Sequence, residues 1–327
     1  MFEDLISVRK PKISVITPSL NHGRFLVDTI ESILSQSYRN FEHIVVDGGS
    51  KDNTVDILKR YPHIKWISEK DENITEAFRK GFDMSRGEYI IQCCVSDGFL
   101  DKDWFKRCVK VLESDIEVSL VWGLPQYMLE DGSLSAIAHA GLLDLPVPQK
   151  TDFLPFWLAT GFLLPEGNYC MRRGVFDMCF PRCQPDDPYR EHPVSRVIYN
   201  FNSLGYLPYF IPVVANYGRW HEGQLTVKCR HIAKPFEIKY YRSIRAYRNA
   251  LFKGKTRHCF RNGASEVIKT VDSDELKYCR NKTREYRLTQ SLLWRANLAL
   301  LHKKIRRYGL KKFLLVLWEK IFRGVSC

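Results

Sequence analysis

Phe41-Glu-His-Ile-Val-Val-Asp47-Gly-Gly-Ser50 combines a short apolar β-strand with a glycine-containing turn, and Asp52-Asn-Thr54 then opens a helix. The same alternation recurs on both sides of this stretch, with apolar runs separated by segments of helical spacing. The predicted strands are 13–17, 41–46, 64–68, 89–95 and 118–122. Repeated strand–helix units of this kind predict an α/β fold with a mostly parallel, Rossmann-like sheet and helices on both faces.

Acidic turns follow three of the predicted strands. They are Asp47-Gly-Gly-Ser50, Glu69-Lys-Asp71-Glu-Asn73 and Ser96-Asp97-Gly98. Each turn alone is also compatible with a helix cap or a solvated loop. Ligands of parallel sheets bind beyond the carboxyl ends of the strands, so three such turns together predict one binding rim. Asp97 follows the most apolar strand and is well placed to hold a hard divalent cation against a diphosphate.

Several ordered segments between residues 12 and 112 carry a family resemblance. The long ones are Pro11–Asn21, Thr29–Tyr38 and Phe41–Thr54, and Glu69-Lys-Asp71, Glu76-Ala77, Lys80-Gly81 and Arg86-Gly-Glu88 follow in order and spacing. This series resembles the family-two inverting glycosyltransferases, which have the GT-A fold. The resemblance is traceable, more thinly, as far as Thr226.

The resemblance implies a set of nucleotide-binding residues. Thr17, Pro18 and Asn21 would line the nucleotide pocket. Asp47 would contact the base, usually uracil in this family, and Asp71 would lie near the base and ribose. We include Ser50, Ser96 and Asp97, which belong to the strand-end turns, in the same set.

The resemblance also implies a Mn or Mg ion, and here the sequence departs from the family pattern. Relatives often read Ser-Asp-Asp where this chain reads Ser96-Asp97-Gly98, so one carboxylate remains. Arg219-Trp-His221 is similar to a late Arg-x-His segment in which the histidine lies near the diphosphate. His221 is therefore the candidate that completes the metal site with Asp97. The alternative is a structural loop histidine.

An inverting transfer needs a carboxylate that removes the proton of the acceptor hydroxyl. Relatives place it shortly before an arginine, and the corresponding region here runs from Asp186 to Arg196. Glu191 fits best, Asp187 is second, and His192 is a further candidate base. A plain surface carboxylate is the alternative interpretation of Glu191.

The charge distribution divides the chain in two. The net charge is +13, yet residues 228–327 hold 26 Lys and Arg against 7 Asp and Glu. We therefore expect a glycosyltransferase domain over 1–226 and a basic, mostly helical region over 227–327. That region favours a polyanion such as an acidic membrane surface, through amphipathic helices at Ser291–Arg307 and Leu310–Arg323. Helices packed on the domain with a solvated basic face are the alternative, and no recognised nucleic-acid motif is present.

The remaining composition predicts a cytoplasmic protein, peripheral at most to the membrane. No apolar run approaches the roughly 20 residues that span a bilayer, and the first ten residues contain no signal-peptide core. The ten cysteines contain no CxxC pair and are interpreted as buried thiols in a reducing compartment.

The predicted activity is transfer of a sugar from a nucleoside diphosphate sugar, UDP-linked by resemblance, to a glycan or lipid-linked acceptor in cell-surface polysaccharide synthesis. Gly98 motivates an alternative, a non-catalytic nucleotide-sugar-binding or scaffold protein on a degenerate transferase fold. A nucleotidyltransferase predicts a basic glycine-rich loop after the first strand, where only Gly23 occurs. A dehydrogenase is disfavoured because no GxGxxG follows that strand.

Overall fold

A computed structural model of the chain describes residues 10–143, 147–180, 193–222, 224, 230–261 and 266–283. The strands are β1 Ile13–Ser19, β2 Phe41–Asp47, β3 Lys65–Ser68, β4 Tyr89–Gln92, β5 Gly98–Phe99, β6 Val118–Met128, β7 Leu134–Ile137, β8 Cys170–Arg172, β9 Leu207–Arg219, β10 Arg257–Phe260 and β11 Val267–Val271. The helices are α1 Gly23–Leu34, α2 Thr54–Leu58, α3 Ile74–Met84, α4 Trp104–Ser114, α5 Phe153–Thr160, α6 Arg173–Cys179, α7 Pro193–Ser203 and α8 Arg230–Phe252. Residues 273–283 are also helical.

One large sheet organises the molecule. Its strand order is β3-β2-β1-β4-β8-β6-β9-β5, and β7 pairs with the outer part of β6. Within the described ranges, β1, β2, β3, β4, β6 and β9 run in one direction, and β5, β7 and β8 run in the other. The predicted mostly parallel sheet is confirmed, and antiparallel strands are concentrated in its second half.

Helices cover both faces of the sheet, as predicted. Successive residues of a strand point to opposite faces of the sheet. The neighbours Val15 and Ile16 in β1 are both buried, and so are Ile90 and Ile91 in β4. Ile16 and Ile90 pack into the core that includes Phe78 of α3 and most of the α5 side chains. Val15 and Ile91 pack on the other side, against the α1 and α4 side chains. Five of the seven described cysteines are buried free thiols, consistent with their interpretation as small core residues.

The segment that follows β6 differs from the sequence-based expectation. The aromatic, proline-containing composition of Asp152–Trp157 predicts a loop, either one that carries an acceptor site or one that closes the core, but α5 begins at Phe153 and its residues up to Ala159 are buried. A helix that is apolar on every side has no polar stripe, so hydrophobic periodicity cannot reveal it. The segment closes the core and is not an open acceptor loop.

The predicted fourth strand is also shorter than expected. It ends at Gln92, although the N–H groups of Cys93 and Val95 still bond to carbonyls of β1. Ser96 then takes the left-handed backbone conformation, at φ 87°. The chain therefore turns before Asp97, which places this residue between two strands.

The region after residue 226 contains elements that charge patterning did not reveal. Beside α8, it holds the antiparallel hairpin β10–β11, which was expected to be helical. Tyr240 accepts a 2.7 Å hydrogen bond from Trp157 Nε1 and lies in the same core as Trp157. Division of the chain at residue 226 stays a prediction. The segments Ser291–Arg307 and Leu310–Arg323 lie outside the described residues. In the part that is described, no helix is long and apolar enough to cross a membrane.

Candidate functional site

Asp47 ties together the ends of three neighbouring strands. Its side chain is fully buried, and Oδ2 accepts hydrogen bonds from the Ser50 backbone N–H at 2.9 Å and the Ser68 hydroxyl at 2.7 Å. The Ser50 hydroxyl donates to the other carboxylate oxygen and accepts from the Asn21 N–H at 2.7 Å. Asn21 has a φ of 53°, so its side chain turns back and accepts from the Lys51 N–H. The turns after β1 and β2 thus form one rigid unit.

Thr17 and Pro18 lie inside β1. The Thr17 hydroxyl is 2.9 Å from His43 Nε2, and both side chains are buried. Burial lowers the pKa of His43 to about 3, with a smaller contribution from His63, so this imidazole is neutral at physiological pH. The Thr17 hydroxyl is therefore engaged within the sheet, and its role at a nucleotide stays a prediction.

Asp71 lies next to the Asp47 turn. A Cβ placed on Gly48 would come within 3.3 Å of Asp71 Oδ2, so the two acidic turns are direct neighbours. Lys80 Nζ lies 2.6 Å from Asp71, 2.8 Å from Glu69 and 3.2 Å from Glu76. Burial raises the pKa of Asp71, and the Lys80 ammonium opposes that shift. Lys80 therefore anchors the loop that the sequence predicted near the base and ribose.

Asp97 is held by contacts from two distant segments. Thr29 Oγ1 accepts from the Ser96 N–H at 3.2 Å and donates to the Asp97 carbonyl at 2.8 Å. The Arg219 N–H donates to Asp97 Oδ1 at 3.2 Å. These bonds connect α1, the β4–β5 turn and the end of β9, and they fix the carboxylate without enclosing it.

The surroundings of Asp97 favour a neutral carboxyl group in the absence of a cation. Burial raises its pKa to about 7, the charge of Glu166 adds to the shift, and the Arg219 N–H opposes it. Cβ positions built on Gly167 and Gly218 lie 3.8 and 3.9 Å from the two carboxylate oxygens. Two glycines thus leave room beside this carboxylate, and a nearby cation would restore its ionised form.

Glu166 is a member of the site that sequence reasoning missed. It is exposed, and its carboxylate accepts a hydrogen bond from the Ser195 hydroxyl of α7. It follows no predicted strand, and only the adjacent Gly167 hinted at a close approach. The fold brings it near enough to Asp97 to influence the pKa of that residue.

Gly98 occupies a position that has no space for a side chain. It pairs with Tyr217 of β9, and a Cβ here would lie 2.5 Å from both Tyr217 Oη and Ser32 Oγ. The Tyr217 side chain is 5% exposed and is therefore fixed in the core. The missing second carboxylate thus has a structural cause, because Tyr217 fills the place in which an aspartate side chain would begin.

His221 lies at the end of β9, beside the start of α1. Its side chain is 5% exposed, and its Nδ1 has no hydrogen-bond partner among the residues that the structure describes. The imidazole packs 4.7 Å from the Phe25 ring and 5.2 Å from the His22 ring, measured between centroids. Burial and the neighbouring His22 and Arg24 lower its pKa to about 4, so the ring is neutral. A neutral, unpartnered imidazole nitrogen is chemically competent as a metal ligand.

The joint metal site of Asp97 and His221 stays a prediction. Across the ranges that the structure describes, no group of three His, Cys, Asp or Glu side chains is arranged to hold a metal ion. Mg²⁺ in nucleotide sites typically takes one or two protein ligands and completes its shell with phosphate and water oxygens. The candidate bases Glu191, Asp187 and His192 lie outside the described residues.

The fold and its acidic strand-end rim define a GT-A type of architecture. A solved structure of the mannosyltransferase PcManGT from Pyrobaculum calidifontis, in complex with GDP-Man and Mn²⁺, is similar to this chain with a TM-score of 0.51. The similarity covers 97% of this chain and 81% of that protein at 15% sequence identity, and it shows the shared fold.

Residues 14–135 match the family Glycosyl transferase family 2, and the chain therefore contains a domain of that family. The putative teichuronic acid biosynthesis glycosyltransferase TuaG of Bacillus subtilis is 35% identical over 143 residues, which is 40% of this chain and 54% of that protein. A chondroitin synthase of Escherichia coli is 30% identical over 130 residues, or 38% of this chain and 19% of that protein. The chain thus spans about half of the first relative and about a fifth of the second.

Proposed function

We propose that the chain transfers a sugar from a nucleoside diphosphate sugar to a hydroxyl of a glycan or lipid-linked acceptor, with inversion, in the synthesis of a cell-surface polysaccharide. One observation carries the proposal: Asp97 stands at the same sheet rim as the Asp47 and Asp71 turns, within a family 2 domain. The family supports glycosyl transfer, and the rim offers places for a nucleotide and a charged diphosphate.

The nucleotide would lie along the β2 and β3 ends. The Asp47 and Asp71 turns are contiguous there, and the interlocked Asn21 and Ser50 backbone forms the adjoining surface. We propose uridine as the base, on the family resemblance. Rigid hydrogen bonding among these residues means that little ordering is needed when a nucleotide binds, which favours affinity.

Asp97 and His221 are the residues that would hold a Mn²⁺ or Mg²⁺ ion together with the diphosphate. Such an ion neutralises the charge that builds on the leaving diphosphate. The protein's contribution is to present the Asp97 carboxylate beside two glycines and the His221 ring in its neutral form. Asp97 must lose its proton to take part, so the site is sensitive to pH near 7.

For the chemical step, we propose that a carboxylate takes the proton of the acceptor hydroxyl. The acceptor oxygen forms a bond to the anomeric carbon, and the bond from that carbon to the diphosphate oxygen breaks on the opposite side. The electron pair leaves with the nucleoside diphosphate. Glu191 is the proposed base, with Asp187 as the second candidate.

Donor hydrolysis across a panel of UDP-, GDP- and dTDP-sugars, with and without Mn²⁺, tests this function directly. We expect slow hydrolysis of one UDP-sugar that needs the cation and is lost in Asp97→Asn. Asp131→Asn is a matched control, because Asp131 is an exposed aspartate at the tip of the β6–β7 hairpin. Absence of both turnover and nucleotide binding would exclude the proposal.

Gly98 favours a second candidate function, a nucleotide-sugar-binding protein without activity. The site has one carboxylate where relatives often have two, and Tyr217 prevents another from being added. Under this alternative, UDP and Mn²⁺ bind with a dependence on Asp97, but no acceptor or water is glycosylated by any donor in the panel.

We further propose that the basic region over 227–327 contacts an acidic membrane at the cytoplasmic face, because it contains 26 basic and only 7 acidic residues. Co-flotation with vesicles that contain about 30% phosphatidylserine, lost at high salt, is the expected result because such attraction is screened by ions. Equal flotation with neutral phosphatidylcholine vesicles would contradict it.

A further inference from the structure

We infer that Tyr127 and Trp220 form a platform for a saccharide ring of the acceptor. Their side chains are 40% and 45% exposed, although both residues lie at the ends of long, buried strands. The two rings lie 6.4 Å apart between centroids, at an interplanar angle of 74°. Exposed aromatic residues placed side by side are a recurrent mark of ligand-binding surfaces.

The strand register puts this platform on the same side of the sheet as the Asp97 carboxylate. Tyr127 is paired with Gly218 in the β6–β9 ladder, and the Trp220 N–H extends the ladder by donating to the Met128 carbonyl at 2.8 Å. Directly paired residues and residues two apart on a strand share one face. Because the Cβ direction of Gly218 points to within 3.9 Å of Asp97 Oδ1, Tyr127 and Trp220 lie on the face of the ladder that this carboxylate approaches.

The order of strands gives the platform its place relative to the donor, and this step rests on the proposed function. Along the rim, the Asp47 turn follows β2, Asp97 connects β4 to β5, which pairs with β9, and the aromatic pair lies at the ends of β6 and β9. Because the Arg219 N–H bonds to Asp97 at 3.2 Å and Trp220 is the next residue, a diphosphate held at Asp97 would lie close to the aromatic pair. The acceptor must approach the donor sugar from the side away from the diphosphate, and we assign the platform to that side.

A saccharide matches the chemistry of this surface. One face of a pyranose ring presents only C–H groups and lies flat on an aromatic ring, while its hydroxyls stay at the edge in contact with water. Tyrosine and tryptophan combine a large apolar face with a polar edge and lose little conformational entropy when a ligand is bound. Next to Trp220, the side chains of Arg219 and His221 are buried and hold the strand end in place.

Isothermal titration of the UDP- and Mn²⁺-saturated protein tests the platform, with chitotriose, a chondroitin hexasaccharide and a hyaluronan hexasaccharide as probes. We expect at least one probe to bind, and Trp220→Ala to weaken that binding about ten-fold. Trp220→Phe should stay within about three-fold of wild type, because the aromatic face is kept. Phe252→Ala is the matched control, since Phe252 of α8 is 46% exposed and should not affect affinity.

Several outcomes would overturn the platform: no probe binds, Trp220→Ala binds as tightly as wild type, or Trp220→Phe binds as weakly as Trp220→Ala. Binding of dodecylphosphocholine micelles that depends on Trp220, with no saccharide binding, would also overturn it in favour of a lipid contact. The UDP affinity of the wild-type protein, measured in the same experiment, separates the platform from the proposed function. A wild-type protein that does not bind UDP counts against the proposed function. A wild-type protein that binds UDP, and binds a saccharide as tightly as Trp220→Ala does, counts against the platform alone.

Discussion

Adding a single methyl group at Gly98 should destabilise the protein, because the structure leaves no volume for it. In Gly98→Ala the new Cβ would lie 2.5 Å from Tyr217 Oη and Ser32 Oγ and 2.6 Å from Tyr217 Cζ. The Ser32 hydroxyl can rotate away, but the Tyr217 ring is held in the core at 5% exposure. Overpacking of this kind costs about 1–3 kcal/mol of unfolding free energy, which corresponds to a fall in Tm of a few degrees.

Urea unfolding and thermal melts of Gly98→Ala would measure this cost. Gly174→Ala is the matched control, because a Cβ on Gly174 of α6 meets no atom within 4 Å. That control should be neutral, or more stable by up to about 1 kcal/mol through helix propensity. In a Tyr217→Ala background, Gly98→Ala should cost far less than in wild type, since the obstructing ring is gone.

Gly98→Asp extends the same reasoning to the proposed metal site. It restores the residue that relatives often have, yet it should lower stability at least as much as Gly98→Ala and should not tighten Mn²⁺ binding. Wild-type stability in Gly98→Ala, or stronger Mn²⁺-dependent UDP binding in Gly98→Asp, would refute the claim that Tyr217 excludes a second carboxylate.

Other expected outcomes concern the charged groups of the rim. Burial raises the pKa of Asp97 from 3.8 to about 7, so this carboxyl group ionises at a lower pH in the unfolded chain than in the folded protein. The contribution of Asp97 to the free energy of unfolding is therefore greatest below pH 3.8 and falls as the pH rises to about 7. Mn²⁺-dependent UDP affinity should instead rise from about pH 6 to about pH 8, because the carboxyl group ionises over that range. Both trends should disappear in Asp97→Asn, measured by melts and titration calorimetry, and their persistence would contradict the assignment. Glu166→Gln should move the midpoint of the UDP profile to lower pH, because the Glu166 charge raises the pKa of Asp97; an unmoved midpoint counts against their proximity. Lys80→Met should reduce stability by about 1–3 kcal/mol in urea unfolding, because Asp71 at 9% exposure loses its ion pair. Lys59→Met is the control and should change stability by less than about 0.5 kcal/mol, because the Lys59–Asp56 ion pair is exposed. Equal effects of the two lysine variants would show that the Lys80 contacts are not stabilising.

Much of the acidic rim, where we propose that a nucleotide binds, was predictable from local sequence. The Asp47, Asp71 and Asp97 turns each follow an apolar run with strand periodicity, and parallel strands bring their carboxyl ends to a common edge. Periodicity failed at α5, which is apolar on all sides, and at the β10–β11 hairpin, where basic residues mask the strand pattern. The catalytic base stays a prediction, since Glu191 and Asp187 lie outside the described residues.

The sequence by itself determined the strand–helix alternation up to α4, the parallel half of the sheet and the acidic rim, because these features depend on spacing between near neighbours. Only the tertiary structure decided what surrounds Asp97. Tyr217 excludes a side chain at position 98, Glu166 approaches from the loop after α5, and Trp220 is exposed at the end of β9. Tyr217 meets position 98 through β5–β9 pairing, and Tyr127 lies beside the end of β9 through β6–β9 pairing, so both arrangements join residues far apart in the chain. Register between distant strands is set by packing of the whole core, and no local pattern of residues encodes it.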